Sequence, residues 1–446
     1  MLTKLRIVNF KCLADTGELE IRPLTFLVGP NSSGKSSLFQ ALLALRQTVD
    51  SADIENPLAA NDGWVKLGGY SDFVHRHETN RRLEFYLDFF WLLPEELQKL
   101  FPTWRVTSQS DFRLRVAFHY DPQTTQVKLA EGELSVARPA QFSQRVRLQD
   151  VPEAHYECQL KWPQDGDEKE WRFETVQPIK FYGFAVSPQQ VQEGMLGLLY
   201  SQILSLALQN ELQNLLYIGP LREYPQRVYV TSGQVPQHVG TRGERAVEVL
   251  WAAHRTERLS QLLRRVQDWV KEFGIASGLK LNRLGKTNHY TVVLIDPNTG
   301  LEVNLSDVGF GASQLVPIIV GCLYAPLGCL LLIEQPEIHL HPKAQAQLGD
   351  LFIEATQQKD RRVIIETHSE HILARVRRRI AEGKIGREDV AIYYFQPTPR
   401  GSQVREIMLN KYGQYEDFPE GFFEEDFEEA FAHLQAMRNK IKKESR

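Results

Sequence analysis

The stretch Gly29-Pro-Asn31-Ser32-Ser33-Gly34-Lys35-Ser36-Ser37 places a glycine, four residues, then Gly-Lys-Ser. Glycines let backbone N–H groups curl around an anion with no Cβ in the way. A helix opening near Lys35 adds unpaired N–H groups and the positive end of its dipole. The lysine at this spacing reaches the outer phosphates of a nucleotide, and the following hydroxyl is placed for Mg²⁺. Asn31, Ser32, Ser33, Gly34, Lys35, Ser36 and Ser37 are the candidate nucleotide-binding residues, with Ser36 also on the metal. ATP and Mg²⁺ are the expected cofactors.

Phosphoryl transfer also needs a metal-holding acid at the end of a neighbouring strand. The apolar run Cys329–Ile333 ends in Glu334-Gln335-Pro336-Glu337. Glu334 is the candidate metal holder, through water; the plainer alternative is a strand that ends in solvated acids. The small-residue turn from Ser306 to Gln314 opens an apolar helix. Gly311, Ser313 and Gln314 would there aim at a nucleotide on a second, head-to-tail copy, and a plain capped helix fits the same residues. A further apolar run, Val363–Ile365, leads into Glu366-Thr367-His368-Ser369. His368 sits where a switch histidine would meet the terminal phosphate; a purely structural histidine is the alternative.

The elements that must position these groups follow from periodicity. Alternation predicts strands over 2–10 and 21–28, then a helix over 37–48. From 83 to 185, short alternating runs between Pro, Asp, Gln and Gly predict antiparallel strands. Residues 189–215 read as helix, Tyr217-Ile-Gly-Pro-Leu-Arg222 interrupts, and 243–274 form the longest helical pattern. Strands return over 277–305, and 313–396 alternate helix and strand as an α/β unit. The expected organisation is an α/β head built from both chain ends, 1–90 and 277–404. A β-rich and helical insertion (91–242), a helical segment (243–276) and an acidic-aromatic tail (405–446) complete it. RecA-like and AAA+ cores keep loop and acid strand much closer; so long a separation is typical of a split ATP-binding-cassette head.

Taken together, these residues resemble the cassette ATPases of the overcoming-lysogenization-defect (OLD) kind, relatives of the SMC-like repair ATPases. The matching stretches are Leu5–Lys11, Gly29–Ser37, Asp307–Gln314, Ile333–Pro342 and Glu366–Ser369. Tyr217–Arg222 and Asp417–Phe423 look like a subgroup with an uncharacterised C-terminal domain. The resemblance implies ATP and Mg²⁺, paired heads that sandwich two nucleotides, and a role in DNA metabolism or anti-phage defence. A homodimer, DNA and a separate effector (nuclease or toxin) are the partners it points to. DNA repair, or a scaffold that binds ATP with little hydrolysis, are the alternatives.

Two departures from that family qualify the expectation. A Toprim nuclease domain often follows such heads, yet no Glu…Asp-x-Asp cluster follows His368. Cassette ATPases usually carry Asp-Glu-Pro where this chain has Glu334-Gln335-Pro336, so glutamine takes the place of the general base. Glutamine can orient water but cannot accept its proton. Glu337 is the substitute base, and slow hydrolysis is the expectation.

Composition narrows the remaining classes. The net charge of −4 excludes a globally basic nucleic-acid binder. Cys12, Cys158, Cys322 and Cys329 form no C-x-x-C pair, which fits a reducing cytoplasm. The apolar stretch Leu315–Ile333 is broken by Pro317, Gly321, Pro326 and Gly328, so no membrane span is expected. His339, His341, His368 and His371 are weaker candidates for metal ligands. The arginines at 361, 362, 375, 377, 378 and 379 fit DNA phosphates or a solvated helix face. Arg222 fits phosphate contact or anchoring of the insertion. The tail's acids and phenylalanines (417–429) fit a docked amphipathic helix or a site for a basic partner.

Overall fold

The computed structural model describes residues 1–91, 110–138, 142–149, 155–164, 167–357, 361–417 and 437. The expected acidic-aromatic tail beyond Asp417 lies outside the described residues.

At the centre is a six-stranded sheet with five parallel strands and one antiparallel edge. We label its strands β1 (Leu24–Val28), β2 (Leu215–Ile218), β3 (Leu330–Glu334), β4 (Arg362–Glu366), β5 (Val390–Thr398) and β6 (Gly401–Glu406). The order across the sheet is β2-β3-β4-β1-β5-β6. β1 and β3 are buried at every position, as apolar runs covered on both faces must be. Successive side chains enter opposite layers. Leu27, Leu330, Leu332, Ile364 and Phe395 join one apolar cluster, and Phe26, Leu331, Ile333, Ile365 and Ile392 the other. Helix α1 (Lys35–Asp50) fills the first layer. α2 (Phe310–Tyr324), α3 (Pro342–Gln357) and α4 (Glu370–Ala381) fill the second.

The β-rich insertion is not a separate body. Strand Leu2–Phe10 pairs with Leu83–Trp91, and a run of antiparallel neighbours continues outward to Gly183–Ala185. The N-terminus therefore begins the ten-stranded sheet that the insertion extends. The 26-residue helix Pro188–Gln213 crosses back over it, with Pro188 in its first turn and a capping box between Ser187 and Gln190. This is the longest helix among the described residues. The periodic stretch 243–274 instead divides into Ala246–Arg255 and Ser260–Glu272, because Thr256 turns extended between them. The strands of 277–305 likewise form their own four-stranded sheet with Tyr229–Val230. Leu215–Ile218, although it lies within 91–242, is an edge strand of the central sheet.

The arginine cluster is occupied internally. Arg375 and Arg379 both pair with Asp350, and Arg378 and Arg379 with Glu382. Arg377 lies over the Tyr415 ring at 3.9 Å, and Arg361 is buried against the Cys322 carbonyl. Among the described residues no helix is long and apolar enough to cross a membrane.

Candidate nucleotide-binding site

Parallel strands in an open α/β sheet present their carboxyl ends to ligands. Four chain segments meet at that edge here: the loop after β1, the turn after β2, and the ends of β3 and β4. Register aligns them, since Glu334 pairs with Glu366 and Glu366 with Leu27.

The loop after β1 is a backbone cradle. Gly29, Ser32 and Gly34 all have positive φ, at 138°, 60° and 96°. Side chains are also excluded sterically: a Cβ on Gly29 would stand 2.4 Å from the Phe395 carbonyl oxygen. Gly29→Ala is expected to cost about 2–4 kcal/mol, from overpacking plus a disfavoured φ. A melting temperature within a degree of the parent protein would contradict this. Ser33 is fully buried and its hydroxyl has no partner. Lys35 is 3% exposed, and its Nζ donates to the Gly29 and Pro30 carbonyls at 2.9 and 2.8 Å. The Ser36 hydroxyl donates to Glu366, at 2.9 and 2.8 Å from its two oxygens. Asn31 and Ser32 are exposed at the loop's crest, and Ser37 lies 3.9 Å from the Cys12 sulfur.

Two family models of AAA ATPases match three of the four segments that build this edge, all but the turn after β2. An AAA ATPase domain model matches residues 1–149. A second AAA model, named for the AbiEii toxin of type IV toxin–antitoxin systems, matches 231–374. A family of unknown function, DUF3696, matches 385–432. The chain is 22% identical to the OLD nuclease of Thermus scotoductus over 384 residues, 83% of this chain. These matches make the chain similar to P-loop ATPases of the AAA and OLD kind. It spans 59% of that nuclease's length. Solved structures of the Smc head show a remote likeness. One, bound to the C-winged helix domain of ScpA, is 12% identical with a TM-score of 0.42, covering 92% of this chain and 98% of the other. Another, derived from Pyrococcus furiosus, is 12% identical with a TM-score of 0.40, covering 98% and 99%.

The electrostatics of this site come from three acids and two basic side chains at the sheet edge. Glu334 and Glu366 are 8% and 4% exposed, and Arg222 is 3% exposed. Burial and the neighbouring Glu366 push the Glu334 carboxyl up to about 7, eased by the Tyr217 hydroxyl and Arg222. Burial raises Glu337 and Glu366 as well, and lowers Lys35. With Glu334, Glu337 and Glu366 ionised against Lys35 and Arg222, the site carries one excess negative charge. A divalent cation would reverse that sign and suit a polyphosphate. The oxygen donors Ser36 and Glu334, with Glu366 beside them, fit Mg²⁺, which prefers few protein ligands and keeps several waters. Its chemistry would be charge neutralisation on the phosphates.

A raised carboxyl pKa means the folded chain holds that proton more tightly than the unfolded chain. Glu334's contribution is thus complete below about pH 4.5 and lost as pH rises through about 7. In chelator, the nucleotide-free protein is expected to lose up to about 3 kcal/mol between those limits from this group. Glu334→Gln should flatten the melting-temperature profile over the same range; an identical profile would refute the assignment.

The acid turn is held firmly. Gln335 adopts a left-handed φ of 42°, and its N–H donates to the Glu366 carbonyl at 2.8 Å. Glu337 Oε1 accepts from the His368 N–H at 2.7 Å, whereas Oε2 is buried without a partner. His368 thus meets Glu337 through its backbone, and burial together with Lys35 lowers the pKa of its ring. His339 and His341 lie on the turn after this acid and His371 at the start of α4. Among the described residues no cluster of ligands for a metal ion forms.

The turn before α2 has a different geometry from the loop after β1. Ser313 and Gln314 are each 3% exposed, and a Cβ on Gly311 would stand 2.5 Å from the His339 carbonyl oxygen. Gly311 therefore lets α2 approach the turn after the acid. Asp307 and Gly309 are the exposed members, and Asp307 pairs with Arg227 at 2.5 Å.

The sequence alone assigns no role to Glu366 or Tyr217. Glu366 ends an apolar run just as Glu334 does, so the same pattern identifies it. Tyr217 had no such signal, because only the pairing of β2 with β3 carries it to Glu334.

Proposed function

We propose that this chain binds Mg-ATP and hydrolyses it slowly, using the nucleotide to clamp two heads together. Glu337 carries this reading: one carboxylate oxygen is anchored by the His368 N–H, and the other is buried, unpaired and of raised pKa. Such a group can take a proton from water. Gln335, beside the metal-holding Glu334, cannot. Ser36 and Glu334 would hold Mg²⁺, and Lys35 the outer phosphates. His368 would register the terminal phosphate. Gly311, Ser313 and Gln314 would support the face offered to the second copy, indirectly given their burial.

Kinship with the OLD nuclease supports a role beside DNA in anti-phage defence, with cleavage or toxicity supplied by a separate effector. Gln335 favours one alternative within the same site, an ATP-binding scaffold with little hydrolysis. Turnover separates the two. Steady-state phosphate release is expected well below about 1 s⁻¹, against about 10 s⁻¹ for a typical enzyme. Release in the tens per second would overturn the slow-clamp reading, and none above the Lys35→Ala background would favour the scaffold. Sedimentation with and without a non-hydrolysable ATP analogue tests the clamp, and a monomer under both conditions rejects it. A phage challenge of cells carrying the wild-type or the Lys35→Ala gene tests defence.

A further inference from the structure

Arg222 is a buried cation whose hydrogen bonds are half unmade. It follows β2 on the turn Gly219-Pro220-Leu221 and is 3% exposed. Its Nη2 donates to the Glu334 carbonyl at 2.8 Å and to the Gln335 carbonyl at 3.2 Å, which sets the guanidinium over the carboxyl end of β3. Its Nε and Nη1 are buried with no partner. Burial is the main influence on the group and lowers its pKa to about 10, while Glu337, Tyr217 and Glu334 favour its charge. Nε carries one N–H and Nη1 two, and leaving charged donors unmade in a buried site is costly.

The acid that most favours the charge of Arg222 is Glu337, whose Oε2 is also buried and unpaired. The two groups do not bond to each other. An arginine lacking acceptors and a carboxylate lacking a donor therefore stand at one strand edge. A terminal phosphate supplies acceptors for the first, and its attacking water supplies a donor for the second.

We propose that Arg222 binds the terminal phosphate of the nucleotide and thereby distinguishes a nucleoside triphosphate from a diphosphate. This rests on the ATPase reading of the site. The cation comes from the same chain as the phosphate loop, on the segment that leads out of the insertion's long helix and through β2. Lysine could not replace it, since one ammonium cannot hold two carbonyls and also present a planar fork to phosphate.

Affinities of the full chain for a non-hydrolysable ATP analogue and for ADP, each with Mg²⁺, test the proposal. Wild type, Arg222→Ala, Arg222→Lys and Lys35→Ala are compared. Arg222→Ala is expected to weaken the triphosphate about 10- to 100-fold, as loss of charged hydrogen bonds does, and to leave ADP nearly unchanged. Arg222→Lys should fall between. Retained ADP binding doubles as the check that the two Arg222 variants are folded. Equal loss of both nucleotides in Arg222→Ala and Arg222→Lys would assign Arg222 to structure alone and overturn the proposal. So would an unchanged ratio of the two affinities. A wild-type chain that binds neither nucleotide would instead fail the ATPase reading, a distinguishable outcome.

Discussion

Glu337→Gln is expected to slow ATP turnover by about 10²- to 10⁴-fold, the usual contribution of a positioned general base, with nucleotide affinity little changed. The expectation follows from what each acid already does. Glu366 accepts from Ser36 through both oxygens, and Glu334 is engaged by the Tyr217 hydroxyl. Both lie where Mg²⁺ is proposed to sit. Glu337 combines an oxygen anchored by the His368 N–H with a buried Oε2 that accepts no bond within normal distance, and the nearby Thr367 hydroxyl favours its charge. The anchor is the His368 N–H, so the turn after β4 fixes the direction of the carboxylate. Glutamine keeps the volume and can still accept from that N–H through its carbonyl, which leaves the fold intact. Single-turnover hydrolysis measured beside nucleotide affinity gives the test. Turnover within a factor of about two of wild type would remove Glu337 as the base and leave the slow rate unexplained.

Much of this edge was legible in the sequence because each part has local chemistry. The phosphate loop is read from glycine spacing, and β3 and β4 from apolar runs that end in acids. The helix Pro188–Gln213 announces itself by Ser187, Pro188 and Gln190. What was not legible is long-range. Nothing near Tyr217 or Arg222 says that β2 joins the central sheet beside β3, and that pairing alone brings both to Glu334. Ser313 looks exposed in a run of small residues, yet the close approach of α2 to His339 at Gly311 carries it inside. Likewise the arginines of α4 look like a nucleic-acid face until Asp350 from α3 and Tyr415 are found beneath them. Helical periodicity over 243–274 was real but could not show that Thr256 leaves the helix.

Lys35→Ala has the second large expected effect, and it separates binding from folding by pH. Lys35 Nζ now holds two carbonyls of its own loop, Gly29 and Pro30, so the cradle is formed before a nucleotide arrives. Losing both the cradle's tie and a charged contact to phosphate should weaken ATP and ADP alike by about 100-fold or more, from roughly 3 kcal/mol. The alanine also leaves Glu334, Glu337 and Glu366 with Arg222 as their only buried counter-charge among the described residues. Lys35 is what lowers the Glu366 pKa after Ser36 does, so its loss raises that carboxyl further. A raised carboxyl contributes fully while protonated and loses its contribution as pH rises. At pH 5 Glu334, its carboxyl raised to about 7, is largely protonated, and removing the lysine also removes a buried charge that burial disfavours. The nucleotide-free variant should then melt near wild type at pH 5 and several degrees lower at pH 8. A drop of equal size at both values would mean that Lys35 acts in the empty site by packing rather than by balancing its acids.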